Sequence, residues 1–341
     1  MKNNNNFADR ARKAGLVLAL PLLTTSLVAQ QGHVMNGVGA VNQSMGGATV
    51  GAPIDPSGTM NWNPAGISAL GCCEFQFSFE LFKSSLDVSS SVGGMSGSTP
   101  SDVGTSPIPS FAFTWGEKDS PWLFGLGAYG MAGFGTNFAA SSPTPGGNPI
   151  FMPQPNGFGA VYSDFQLLQL APTVAYRINK QWSVGFSPTI DRAQLSVDPA
   201  AFAIPNSNGT YPSADHADES WGWGFQLGVL WELESGWNFG ASYKSTQWFN
   251  EFSWNSADEN GLPRNIRFDM DFPAIASIGA GYTGVDKWTF AADLRYIDYE
   301  TTDGFQEAGF GPTGAVTGLG WDSIMVLGRG AQYQNNDTLS G

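Results

Sequence analysis

Trp182 to Asp191 reads WSVGFSPTID, and the fold of the whole chain follows from how these residues alternate. Trp182, Val184 and Phe186 fall on one side, and Ser183, Gly185, Ser187 and Asp191 on the other. That is the two-residue period of a strand with one apolar and one polar face. A short turn at Asn179-Lys180 precedes the tryptophan. The same unit recurs at Trp122 (WLFGLGAY, after Glu117 to Pro121), Trp237 (WNFGASYK, after Glu234 to Gly236) and Trp288 (WTFAADLR, after Gly284 to Lys287), at intervals of 60, 55 and 51 residues. An indole ring lies well at the headgroup level of a bilayer, its carbocycle in hydrocarbon and its N–H in polar surroundings. Trp122, Trp182, Trp237 and Trp288 therefore predict an interfacial girdle, with apolar faces toward lipid and polar faces toward a lumen. A two-sheet sandwich also alternates, but nothing in it sets four tryptophans in one register beside short turns.

Working outward, FQFSFELF (75–82) puts Phe75, Phe77, Phe79 and Leu81 on one face, against Gln76, Ser78 and Glu80. Ten strands are predicted, at about 73–90, 108–117, 121–134, 162–178, 181–195, 220–234, 236–254, 265–283, 287–301 and 320–334. The links opposite the short turns are long, at about 135–161, 196–219, 255–265 and 302–319. Short turns at one end and long loops at the other are the topology of an all-β, transmembrane antiparallel β-barrel, with the long loops outside the cell. Thr338 to Gly341 reads as the start of an eleventh strand. An open sheet edge is not viable in lipid, so either the sequence is a fragment of a longer barrel, the favoured expectation, or ten strands close and the tail frays.

Composition narrows the classes. The 341 residues carry a net charge of -14, and only 13% are charged. The acidic balance excludes a nucleic-acid partner, and 24 Phe with 12 Trp argue against disorder. No run of about 18 apolar residues is present for a membrane helix. Lys2, Arg10, Arg12 and Lys13 followed by AGLVLALPLLTTSLVA (14–29) read as a signal peptide over 1–29, cleaved after Ala29, which implies export toward the outer membrane of a diderm bacterium. Cys72 and Cys73 are adjacent, a spacing that strains a mutual disulfide, and read as packing residues at a strand start.

Residues 30–71 are glycine-rich, precede the first strand and contain Asn63-Pro64-Ala65-Gly66. A Gly-rich stretch near Ser44 to Ala48, an Asp at 55 and NPAG before a Phe-alternating strand together resemble the FadL/TodX (OMPP1) family of outer-membrane transporters of hydrophobic compounds. LAPTVAYRINKQWSVG (170–185) and DFPAIASIGAGYTGVDKWTFAADLRYIDY (271–299) look like that family's mid-barrel hairpins. The resemblance implies a fourteen-stranded barrel over 72–341, of which about ten strands are present and the end is incomplete. It also implies a plug or hatch over 30–71 and a lateral window at a kinked third strand. That strand is Trp122 to Gly135, thinned by Gly125, Gly127, Gly130, Gly133 and Gly135, where glycine marks a bend, a window or simply a flexible loop start. Asn63, Pro64, Ala65 and Gly66 read as a turn anchoring the plug, as a gate, or as both.

Other residues bear on function directly. Phe138, Ile150, Phe151, Met152 and Phe158 lie in a loop with five prolines. A purely solvated loop would not need them, so they form an expected capture site for a hydrophobic small molecule, or a loop folded on itself. Lys244 and Arg295 have lumen parity and could pair a ligand carboxylate or a lumen carboxylate such as Asp293. GLGAYG (125–130) matches a dinucleotide fingerprint, but no amphipathic helix and no distal acid follow. Asp215, His216, Asp218 and Glu219 read as a solvated acidic loop rather than a metal site. No catalytic cluster joins His33 or His216 to a serine, so no cofactor, metal or enzymatic activity is expected. The sequence thus predicts passive uptake of fatty acids or other hydrophobic solutes by a monomer that meets outer-membrane lipid, lipopolysaccharide and the barrel assembly machinery. A general porin is the first alternative and an outer-membrane enzyme the second.

Overall fold

In the computed structural model, which describes residues 32–71, 73–117 and 120–333, the alternation becomes a curled antiparallel sheet. The elements in chain order are β1 (Phe75–Phe82), β2 (Asp87–Val92), β3 (Met95–Pro100), β4 (Ser106–Trp115), β5 (Trp122–Phe138), β6 (Val161–Arg177), β7 (Trp182–Asp198), β8 (Ala214–Glu232), β9 (Trp237–Lys244), β10 (Trp248–Phe249), β11 (Phe252–Ala257), β12 (Pro263–Phe268), β13 (Ala274–Val285), β14 (Trp288–Asp298) and β15 (Ile324–Tyr333). Among the described residues the wall runs β1-β4-β5-β6-β7-β8-β9-β13-β14-β15, ten strands in one path, with β10 added beside β8. Residues 1–29, expected to be a signal peptide, Cys72 and the expected eleventh strand at 338–341 lie outside the described residues.

The faces are inverted relative to a water-soluble domain. Phe75, Phe77 and Phe79 point outward at 66, 63 and 60% exposure, and Val184, Phe186, Ile190, Leu227 and Ile278 are likewise exposed. Buried on the other face are Ser183, Ser187, Thr189, Asp191, Gln226, Thr289, Asp293 and Arg295. Only a hydrocarbon surround makes an apolar exterior and a polar interior stable together. The four girdle tryptophans open β5, β7, β9 and β14. Each is directly opposite an aromatic residue on a neighbouring strand: Trp122 and Tyr176, Trp182 and Trp231, Trp237 and Tyr282, Trp288 and Tyr333. The ring centroids are 4.6, 5.2, 4.7 and 5.4 Å apart. The belt is therefore a set of cross-strand aromatic pairs.

The structure corrects three strand limits. The span 73–90 ends at Phe82, and 83–105 forms an outer hairpin of β2 and β3 instead. Cys73, exposed and with φ of 67°, lies in the turn before β1. The span 236–254 is interrupted after Lys244 by a register slip, and Trp248 and Phe249 rejoin the same edge of β8 opposite Trp223 and Gly222. The span 265–283 starts at the third residue of β12, which pairs with β11 in a second outer hairpin; the wall strand begins at Ala274. In each case the chain beyond the limit turns into a local hairpin, β2 with β3 or β11 with β12, in place of wall pairing, while local strand propensity continues. Asp215 to Glu219 belong to the outer end of β8 rather than to a loop: Glu219 meets Arg192, and Asp218 accepts the Ser253 N–H at 2.7 Å.

Residues 32–71 lie against the polar inner faces of the wall. Helix Pro56–Trp62 is capped by Asp55, which accepts the Gly58 N–H at 3.1 Å, with Pro56 at its first position. A 3₁₀ helix, Pro64–Ala69, follows at once. Burial pushes the Asp55 carboxyl up to about 6, against the opposing Gly58 and Gln76 hydrogen bonds.

Candidate functional site

Asn63 ties this inner segment to the wall. Its Nδ2 donates to Val50 O at 2.8 Å and to Val229 O of β8 at 3.0 Å, while Oδ1 accepts the Ala65 N–H at 3.1 Å. Asn63, Pro64, Ala65 and Gly66 are all buried. Their seat is cut from glycine. A methyl group on Gly185 would overlap the Pro64-Ala65 backbone, one on Gly228 would overlap Asn63 Oδ1, and one on Gly240 would overlap Val50 O. Further round, Gly279 and Gly281 admit Gly51, and Gly328 and Gly330 admit Gly46 and Met45.

Lys244 and Arg295 are buried and committed to protein partners. Lys244 Nζ donates to Asn61 Oδ1 and Gln169 Oε1, both at 2.9 Å, and touches Met131 Sδ at 3.2 Å. Gln169 passes the network on to Asp191 at 2.8 Å. Arg295 pairs with Asp293 at 3.2 Å, bonds Asn36 O and Gly47 O, and lies 3.6 Å over the Trp62 ring. Asp293 Oδ2 in turn accepts the Thr49 and Val50 N–H groups at 2.7 and 2.9 Å. The lumen-carboxylate alternative for Arg295 is thus the arrangement present.

The wall has a break beside β5. Pairing of β4 with β5 runs from Trp115–Phe124 to Ser110–Tyr129 and stops there, although β5 continues to Phe138. The cause is legible in β4. Thr114 donates its N–H to Glu74 O, toward β1, and the β1–β4 register is unbroken. N–H directions alternate along a strand, so positions 107, 109, 111 and 113 face β5. Pro107 and Pro109 occupy two of them and have no N–H to give. Opposite, the β5–β6 ladder slips between Gly130 and Ala132. The freed edge of β5 is taken by the inner segment: Met35 N–H donates to Met131 O at 2.9 Å, and Gly133 N–H to His33 O at 3.0 Å.

A cavity of about 260 Å³ opens at this break, lined by Pro107, Ile108 and Pro109 on one side and Gly130, Gly133, Phe134 and Gly135 on the other. Gly125 and Gly127 are elsewhere, in the fully paired part of β5 against Met60 and Tyr129. A second cavity of about 420 Å³, almost wholly apolar, lies at the outer end. It brings together Phe138, Ile150, Phe151 and Phe158, but not Met152, with Val197, Phe202 and Phe268. Phe134 lines both cavities. Sequence reading missed Pro107, Pro109 and Phe134; the two prolines, spaced by two inside a strand, were the available signal. Among the described residues no group of three or more His, Cys, Asp or Glu is arranged to hold a metal ion.

The comparisons with known proteins agree with this geometry. The model of the family described as outer membrane protein transport protein (OMPP1/FadL/TodX) matches residues 22–340. The long-chain fatty acid transport protein of Escherichia coli O6:H1 is 26% identical over 260 residues, covering 68% of this chain and 54% of the relative, so the chain spans about half the length of that curated protein. Among solved structures, the toluene transporter TbuX of Ralstonia pickettii superposes with a TM-score of 0.63 at 19% identity, over 88% of this chain and 83% of that one. A FadL homologue of Pseudomonas aeruginosa also gives 0.63, at 15% identity and over 90% and 78%. Inverted faces, girdle and family match lead to one conclusion: the chain belongs to the OMPP1/FadL/TodX family of outer membrane transport proteins.

Proposed function

We propose that the protein carries hydrophobic small molecules passively across the outer membrane and releases them sideways into the bilayer. The observation that carries this reading is the apolar 420 Å³ cavity at the outer end, which shares Phe134 as a lining residue with the cavity at the break between β4 and β5. A greasy solute gains about 0.8 kcal/mol per buried CH₂ on leaving water, so an apolar outer cavity captures it without chemistry. The axial route is closed by residues 32–71, which serve as the plug, and Asn63 to Gly66 anchor that plug. The prolines and glycines at the break form the exit. A lumen filled by hydrogen-bonded protein gives a general porin no water path, and the relatives carry the names of transporters rather than enzymes.

The test is uptake of labelled oleate by cells lacking their own transporter and expressing a full-length protein with this sequence. Uptake should rise over the empty strain and fall several-fold in a Phe151→Asp variant. Equal uptake of small hydrophilic sugars, indifferent to that substitution, would favour a porin.

A further inference from the structure

The lipid-facing side of β6, β7 and β8 changes character within three rows at its outer end. Directly opposite one another in the lowest row are Leu170, Ile190 and Trp223. The third row is polar and pairs Gln166 with Gln194 and Gln194 with Glu219. Between them Arg192 stands opposite Leu168 on one side and Trp221 on the other. All of these positions are two residues apart along their strands, so they share the outward face with the exposed Leu168, Leu170 and Ile190.

Trp221 differs from the girdle at the inner end. Each girdle tryptophan meets another aromatic ring across the strands, whereas Trp221 meets a guanidinium and is 56% exposed. Two residues on, Trp223 is 63% exposed and leans on Trp248, centroids 4.9 Å apart. The polar side chains above are held in place. Arg192 Nε donates to Glu219 Oε2 at 3.2 Å, with a second contact from Nη2 to Oε1. Gln166 Nε2 donates to Asp164 at 3.1 Å. The patch therefore sets one guanidinium, two carboxylates and two primary amides beside an exposed indole.

This set does not suit a lone phosphate, because its carboxylates outnumber its cation. It does suit a sugar. A hydroxyl group both donates and accepts, and the patch offers acceptors and donors side by side. The face of an indole carries partial negative charge, which attracts the C–H groups along one face of a pyranose ring. The row below is apolar and faces lipid, so the patch continues the bilayer contact of the wall into the headgroup layer. A sugar that carries acyl chains meets both parts, whereas a free sugar meets only the upper one.

We propose that the outer face of β6, β7 and β8 binds the sugar headgroup of an outer-leaflet glycolipid. One sugar ring stacks on Trp221. Its hydroxyls bond Gln166, Arg192, Gln194 and Glu219, and an acyl chain runs down over Leu168, Leu170 and Ile190. Gln166, Arg192 and Gln194 also line the cavity at the break between β4 and β5, so the bound headgroup borders that break. The site goes beyond the transport reading and does not depend on it.

The test is native mass spectrometry of the full-length protein in detergent, titrated with a lipopolysaccharide of lipid A and core sugars only. Phosphatidylglycerol is the lipid without a sugar, and the deacylated core is the sugar without a lipid. The lipopolysaccharide should bind at least about tenfold more tightly than either. Trp221→Leu and Gln194→Leu should each weaken it about tenfold and leave phosphatidylglycerol binding unchanged. Trp221→Tyr, which keeps a ring face, should recover most of the loss, and Trp182→Leu at the inner end should change nothing. The gel shift of unheated samples establishes that each variant is a folded barrel. Equal binding of lipopolysaccharide and phosphatidylglycerol, or an affinity untouched by Trp221→Leu, overturns the proposal. Deacylated core that binds as tightly as the acylated molecule overturns the assignment to a glycolipid.

Discussion

Asn63 is the residue from which the inner segment hangs, and its three hydrogen bonds are all buried. Asn63→Ala leaves the Val50 and Val229 carbonyls without that donor, a loss of about 2–5 kcal/mol. The expected readout is a lower temperature for the unfolding shift of the barrel on unheated gels. Gly228→Ala should act in the same direction by about 1–3 kcal/mol, because the new methyl group meets the Asn63 side chain. His33 makes docking depend on pH. Burial holds its imidazole down at about 3 against an ordinary 6.5. The undocked residue therefore binds a proton that the docked one refuses, and docking weakens as pH falls through that window. Asp55 works the opposite way between 3.8 and about 6, since its raised carboxyl favours the docked state at lower pH. Comparison with His33→Phe isolates the histidine: a nitroxide on Met35→Cys should loosen on acidification in the protein with His33 and stay fixed in the variant.

At the scale of elements, β4 and β5 explain why an unbroken apolar pattern does not give an unbroken wall. Pro107→Thr with Pro109→Val restores two donors facing β5. The ladder should extend past Ser110, seen as slow hydrogen exchange at the two new amides, and oleate uptake should drop several-fold. Fast exchange at both would show that the break has another cause. The outer hairpins mark where sequence reading fell short. DVSSSV continues strand propensity past β1 with only Val88 and Val92 apolar on one face, and it pairs with β3 instead of the wall, because alternation alone does not say which partner a strand will choose. The gathering of Phe138, Ile150, Phe151 and Phe158 around one cavity was legible because large apolar groups in a proline-rich loop need a reason. Met152 shares that composition but not the cavity. The six rings around His33 were not legible as a group, since they come from positions as distant as Phe134 and Trp321 and only the curled sheet brings them together.

For the whole molecule, the girdle makes a direct prediction. With 5-fluorotryptophan incorporated, the fluorine signals of Trp122, Trp182, Trp237 and Trp288 should broaden equally when a paramagnetic lipid headgroup is added, and Trp62, inside, should not. Unequal broadening among the four would contradict a common depth. The fold was legible because lipid imposes one rule on every strand, so a two-residue period and a recurring tryptophan carry the topology. The interior was not, because its specificity lies in where side chains are missing. The glycine seats have a practical consequence. They hold a particular backbone path and nothing else: without residues 32–71, Asp293 would lose both amides it accepts, and the cleared centre would be walled by bare main chain and stranded charge. Anyone hollowing this scaffold into a wide conduit would have to rewrite its lining residue by residue, since excision alone would trade a filled cylinder for an unsupported one.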